Sequence, residues 1–243
     1  MSETPVKHIV TTKVGDMLPW AKRTIADLVV RYVKKMVPDF NLPGHVNFRK
    51  ALSIGHAHGF TPVELQNTDV ALLQYTGGTT GVAKGAMLTH RNVLANVEQT
   101  GTWISSTFEP AKEVAMTALP LYHIFSFTAT LCFSKFAATQ VMVPNPRDIP
   151  ALVGLIKKWD FSIIPAVNTL FNALVNNKEF REHKFTRLKM TVGGGAQVQR
   201  TVAEKWYKAT GCHILEAYGL TETSPGVCGN FPDAPWDGSV GYP

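Results

Sequence analysis

The sequence predicts an α/β fold, a parallel-sheet core with helices on both faces, and three observations carry that expectation. Between residues 150 and 217 the apolar residues switch repeatedly from helical spacing to short strand-like runs and back. Two of those runs end in distinctive segments, Gly193-Gly194-Gly195-Ala196 and Tyr218-Gly219-Leu220-Thr221-Glu222, at the carboxyl ends of strands where open parallel sheets bind ligands. The 243 residues, 45% hydrophobic and 17% charged, suffice for a sizeable core and carry no repeat or low-complexity tract.

In chain order, the first 68 residues form an N-terminal segment. A short strand at 7–12 precedes a helix at 20–37, in which Ile25, Leu28, Val29, Tyr32, Val33 and Met36 recur at helical spacing. Lys22, Arg23, Arg31, Lys34 and Lys35 take other positions, which makes the helix basic and amphipathic. Pro38, Pro43 and Gly44 end it, and a second short helix is expected at 47–58 before a strand at 69–75. The region 69–149 holds a glycine-rich loop and a histidine motif. Its stretch 114–134 carries no Lys, Arg, Asp or Glu, long enough to raise a membrane span. Pro120, Tyr122 and His123 interrupt it, so a buried strand at 114–119, a loop and a buried helix from about Phe125 account for it better. From 150 onward, a helix at 150–159 turns Leu152, Val153, Leu155 and Ile156 to one face. It is followed by a strand at 161–167, a helix at about 168–176, a strand at 188–192, a helix at about 198–210 and a strand at 213–217. That β-α-β-α-β order calls for parallel strands with crossover helices.

Cys132, Cys212 and Cys228 are odd in number and widely spaced, with no C-x-x-C pair to suggest zinc or redox chemistry. The first 19 residues lack a signal pattern, and the expectation is a cytoplasmic protein. The net charge of +6 suits polyanionic partners such as nucleotide, coenzyme A or anionic lipid. No zinc-finger spacing or RNA-binding aromatic signature accompanies it, so no nucleic-acid partner is expected.

The strongest local signal is Tyr75, Thr76, Gly77, Gly78, Thr79, Thr80, Gly81, Val82, Ala83, Lys84, Gly85 and Ala86. Glycines let backbone approach a ligand, the threonine hydroxyls can donate to phosphate, and Lys84 adds a positive charge. By composition it is a phosphate loop, though not a Walker A loop, since Lys84 stands between Ala83 and Gly85. Its bland alternative is a glycine-rich hairpin. His123 alone reads as a core or loop histidine, Gly193 to Gly195 as a tight turn, Tyr218 as core and Glu222 as a surface acid. Thr221-Glu222 after a strand nevertheless offers a hydroxyl and a carboxylate suited to Mg²⁺ held jointly with phosphate oxygens.

The loop resembles the phosphate loop of the adenylate-forming (AMP-binding) superfamily, with Gly77-Gly78 where many members have Ser-Gly and Ala83 where many have Pro. Thr89-His90-Arg91-Asn92, Leu119 to Phe125, Asn145 to Asp148 and Val167 to Asn172 resemble its bacterial long-chain fatty-acid–CoA ligase branch. Gly193 to Ala196, Tyr218 to Glu222 and Gly238 to Pro243 follow in the family's order. The resemblance covers nearly the whole chain and implies part of the large N-terminal domain of such an enzyme, with the C-terminal domain absent and the family's ribose-binding aspartate, hinge and adenylating lysine beyond Pro243.

The implied activity is ATP-dependent conversion of a long-chain fatty acid to acyl-adenylate and then to a coenzyme A thioester. Lys84, His123, Thr221 and Glu222 are implied as catalytic, and Thr76 and Glu222 as Mg²⁺ ligands. Tyr75 to Ala86, Gly193 to Ala196 and Glu216, Ala217, Tyr218 and Gly219 are implied to bind nucleotide, with Tyr218 stacking on adenine. His123 is implied to lie where the substrate carboxylate and the coenzyme A thiol meet. Phe127 is implied to close the mouth of an acyl tunnel whose wall the apolar residues of the Val167 to Val175 segment would line. A chain of this extent is expected to be inactive alone. Two alternatives stay open: an adenylating ligase for another carboxylic acid, and a nucleotide- or acyl-binding module without catalysis. The basic helix is expected to touch the inner membrane face peripherally; the oligomeric state is open.

Overall fold

The computed structural model describes residues 4–76, 83–232 and 234–243, in two compact units, Met1–Glu64 and Leu65–Pro243. In the first unit, β1 (Val10–Thr11) pairs in parallel with β2 (Val46–Asn47). Helix α1 (Trp20–Leu28) widens into a π-helical stretch at Val29–Val33. It stops short of the expected residue 37, where the β-branched run Val29, Val30 and Val33 weakens helix propensity and Pro38 follows. Helix α2 (Phe48–His58) is capped by Asn47, whose Oδ1 accepts from the Lys50 amide at 2.9 Å. Neither helix buries a side chain.

The second unit opens with an antiparallel hairpin, β3 (Val70–Thr76) and β4 (Lys84–Thr89), whose pairing runs from Val70↔Thr89 to Thr76↔Lys84. Gly77, Gly78, Thr79, Thr80, Gly81 and Val82 lie outside the described residues. Helix α3 (His90–Ile104) follows directly, capped reciprocally by Thr89 and Asn92. It has no counterpart in the sequence expectation, because its buried stripe of Val93, Asn96, Val97, Gly101 and Ile104 includes an amide and a glycine. Then come β5 (Val114–Thr117), α4 (Ile124–Lys135) and β6 (Thr139–Met142). The break between β5 and α4 falls at Pro120 to His123 as expected, and no helix among the described residues is long and apolar enough to cross a membrane.

The remainder is α5 (Ile149–Trp159), β7 (Ile163–Ala166), α6 (Asn168–Asn176), α7 (Lys178–Arg181), β8 (Met190–Gly193), α8 (Arg200–Thr210), β9 (Ile214–Gly219), a 3-10 turn at Thr221–Thr223 and β10 (Gly226–Gly229). Asp148 caps α5 by accepting from the Ala151 amide, with Pro150 in the first turn. Six strands form one sheet in the order β10-β9-β8-β7-β5-β6. All neighbours are parallel except the antiparallel edge strand β10.

Strand alternation sorts the core into two layers. Val114, Met116, Ile164, Ala166 and Ile214 pack with α5, α6, α7 and α8 in a cluster centred on Phe171, Phe180 and Trp206. Ala115, Ile163, Met190 and Leu215, pointing the other way, pack with Ile104 of α3, Phe133 of α4 and Phe136. The sheet therefore has helices on both faces, and the chain runs to either side of β5, leaving a crevice at the strands' carboxyl ends.

Candidate active site

The carboxyl ends of β5, β8 and β9 and the mouth of the hairpin surround a cavity of about 390 Å³. After β5, His123 stands at the N-cap of α4, where its Nδ1 accepts from the Phe125 amide at 3.3 Å. That bond uses Nδ1 as an acceptor and leaves Nε2 to carry the proton of the neutral ring. After β7, Val167 occupies the N-cap of α6 and packs beside Gly195, but it is not on the cavity wall. After β8, Gly194 and Gly195 enter the wall. A Cβ at Gly194 would come within 3.1 Å of the Phe125 ring, so the missing side chain is what lets this loop pass the start of α4.

The end of β9 supplies Ala217, Tyr218 and Gly219, and the turn beyond adds Leu220, Thr221 and Glu222. A Cβ at Gly219 would lie 2.1 Å from the Pro225 carbonyl oxygen, an approach only glycine permits. The turn bonds to itself: the Leu220 amide donates to Pro225 O at 3.1 Å, and the Thr223 amide donates to Leu220 O at 3.1 Å. The Glu222 carboxylate is exposed and makes no hydrogen bond or ion pair among the described residues. Thr76, the last residue of β3, reaches the same cavity, and Lys84 pairs opposite it at the start of β4.

The structure thus gathers Thr76, His123, Gly194, Gly195, Ala217, Tyr218, Gly219, Thr221 and Glu222 around one space. Other expected residues stand elsewhere. Tyr75 lies across Gly85 on the hairpin, Ala83 and Lys84 are exposed, and Ala86 packs into a small cluster with Leu88 and Val93. Phe127 packs in that same cluster with Ile124 and Leu131 and is not on the cavity wall, because it points from α4 toward the hairpin rather than toward the sheet. Gly193 faces Val198 and Ile214, and Ala196 is exposed off the wall. The buried Glu216 carboxylate is occupied by Trp236 Nε1 at 2.9 Å and the Val198 amide at 3.3 Å.

Sequence reasoning missed Asn96 and Thr128, two buried polar residues on α3 and α4 that line the cavity. The signal for both was a polar side chain on the apolar stripe of a helix. It also missed a second cavity of about 660 Å³, lined by Trp103, Ile104, Met190, Val192, Leu215 and Cys228 among others, which shares Asn96, Thr100, Val192, Ala217 and Gly226 with the first. Thr76 and Glu222 offer oxygen donors only, and no group of three or more His, Cys, Asp or Glu among the described residues is placed to hold a metal by itself. Such a pair fits a hard cation that completes its shell with phosphate oxygens and water.

A family model described as AMP-binding enzyme matches residues 2–243. A long-chain-fatty-acid–CoA ligase from Escherichia coli O6:H1 is 49% identical over 245 residues, covering 100% of this chain and 44% of that protein. One from Haemophilus influenzae is 50% identical over 226 residues, covering 91% of this chain and 40% of that protein. The chain therefore spans less than half the length of the relatives it matches. Among solved structures, apo MatB from Rhodopseudomonas palustris superposes with a TM-score of 0.67 at 25% identity, covering 75% of this chain and 35% of MatB. With a match over nearly every residue, and with Thr76, His123, Gly194, Gly195 and the Tyr218 to Glu222 segment around one crevice of a parallel sheet, the chain belongs to the AMP-binding enzyme family.

Proposed function

We propose that this chain forms the nucleotide- and acid-binding part of an ATP-dependent long-chain fatty-acid–CoA ligase. The observation that carries the reading is the convergence of Thr76, His123, Gly194, Gly195, Tyr218 and Glu222 on one cavity at the sheet's carboxyl end. In the first half-reaction, the acid's carboxylate oxygen attacks the α-phosphorus of ATP, and the bond to pyrophosphate breaks. Two anions must meet, so the main task is electrostatic. Threonine hydroxyls and amides around Thr76 and the Lys84 ammonium offset phosphate charge, and Tyr218 supplies a face for the adenine. Mg²⁺, when bound, neutralises phosphate charge; Thr76 and Glu222 would hold it. In the second half-reaction, the coenzyme A thiol attacks the acyl carbonyl and AMP leaves. His123 stands beside the carboxylate end, where its Nε2 is free to hydrogen-bond.

The adjoining apolar cavity supports a long acyl tail, since its walls are mostly hydrocarbon and it shares Asn96, Thr100, Val192, Ala217 and Gly226 with the first. The test is ATP–pyrophosphate exchange in a protein as long as the relatives and carrying this chain. Exchange is expected to depend on the acid and to be stronger with palmitate than with benzoate or octanoate. Equal exchange with all three would overturn the long-chain assignment, and none with any acid would overturn the ligase reading. Peripheral contact of α1 with an anionic membrane surface is also proposed. It is supported by exposed Trp20, Ile25 and Leu28 of α1, with Lys22 and Arg23, and by exposed Tyr32 with Arg31, Lys34 and Lys35 in the π-helical stretch and the residues after it.

A further inference from the structure

The Glu222 side chain has no partner of its own among the described residues, so its place depends on how its turn is held. Most bonds in that turn are internal, and two buried polar side chains tie its far end to the helices. Asn96 of α3 bonds to Gly226 in both directions: Nδ2 donates to Gly226 O at 2.9 Å, and Oδ1 accepts from the Gly226 amide at 3.1 Å. Its side-chain amide thus stands where a neighbouring strand's peptide would. Thr128 of α4 donates through Oγ1 to Ser224 O at 3.0 Å. Asn96, Thr128 and Ser224 are 4%, 3% and 2% exposed, so each would be costly if left unpaired.

The helices that carry these anchors also carry the rest of the site. Helix α3 grows directly out of the hairpin that frames residues 77–82, and α4 begins at His123. We propose that Asn96 and Thr128 are positioning residues that fix the Thr221–Glu222 turn in register with the phosphate hairpin and with His123. Neither need touch the reacting atoms. Thr128 links the His123 helix to the Glu222 turn, and Asn96 links the hairpin's helix to the same turn from the other side. The inference rests on the proposed function only where it assigns Glu222 to the nucleotide phosphates; the anchoring itself is independent of it.

The test has two readouts. Hydrogen exchange on this chain should show the amides of Leu220, Thr223 and Gly226 exchanging about tenfold faster in Thr128→Val and in Asn96→Ala, the scale of one lost hydrogen bond. Amides of β8 and α8 should be unchanged, and Thr128→Ser should restore protection. In a protein as long as the relatives, Thr128→Val should raise the KM for magnesium·ATP about tenfold with the KM for palmitate unchanged. Unaltered exchange in the turn overturns the anchoring, as does acceleration spread equally over β8 and α8, which marks general destabilisation. A loosened turn with normal KM for magnesium·ATP overturns the link to Glu222. Absence of palmitate-dependent turnover in the unsubstituted protein overturns the functional reading, and with it the assignment of Glu222 to phosphate, while the exchange data still decide the anchoring.

Discussion

Single side chains in this molecule divide into those spent on the fold and those left for chemistry. Glu216 and Glu222 show the contrast within seven residues. Glu216 is buried and held by Trp236 and the Val198 amide, whereas Glu222 is exposed with its carboxylate uncommitted among the described residues. The sequence implies a nucleotide-site role for both and cannot distinguish them, because the difference arises from strand alternation and from Trp236, 20 residues from Glu216. Glu222→Ala is expected to lower palmitate-dependent pyrophosphate release about a hundredfold, the scale of losing one charge-stabilising group. The melting temperature should not change, since an exposed and unpaired acid adds little to stability. Glu113, at the opposite end of β5, is a structural acid. Burial pushes its carboxyl up, but the Glu109 amide, Lys189 and Ser162 outweigh that and hold it below the usual range. Its pair with Lys189 spans 2.8 Å. A depressed carboxyl stabilises the fold above its unfolded pKa of about 4.3, and that contribution is lost as pH falls through the lower folded value. Glu113→Gln should therefore cost about 1.5–3 kcal/mol at pH 7. The gap from the unsubstituted chain should narrow in urea denaturation below about pH 4.

Legibility of whole elements followed how regular their apolar pattern was. Helices α5 and α6 and strands β7 and β9 lie where the spacing put them, give or take a residue or two, because their buried faces are uninterrupted. Helix α3 escaped notice because Asn96 and Gly101 sit on its buried stripe, and β10 because a four-residue strand with two glycines carries no periodic signal. For α1 the pattern was clear and its partner was not. Its apolar residues stay exposed, Trp20 at 77% and Tyr32 at 65%, and its one acid, Asp27, accepts from the Gly15 amide at 3.1 Å. Each basic residue near an anionic surface contributes roughly 1 kcal/mol. Reversing three of them, Arg31→Glu, Lys34→Glu and Lys35→Glu, is expected to weaken sedimentation with phosphatidylserine-containing vesicles at least a hundredfold at low salt. Equal sedimentation of both proteins would rule α1 out as the membrane contact.

Across the whole molecule, the sheet order and the site follow from one arrangement. Five parallel strands point their carboxyl ends the same way, so loops far apart in sequence, after β5, β8 and β9, meet at one crevice. The β-α-β pattern announced that sheet, and the glycine and hydroxyl segments marked its ligand-binding end. It did not announce the second cavity or the buried amide and hydroxyl that tie α3 to β10 and α4 to the turn before it, since those depend on contacts 130 and 96 residues apart. Parallel sheets are usually open at their sides, and an open side is a template on which another chain can add a strand. Here β10 forms one margin, antiparallel to β9, and its outer rim is taken at Gly229, which exchanges two hydrogen bonds of 3.0 Å with Tyr242. At the other margin β6 is only four residues long. The strand that follows the Glu222 turn thus serves twice, lining the ligand crevice at Gly226 and seating the Tyr242 segment at Gly229.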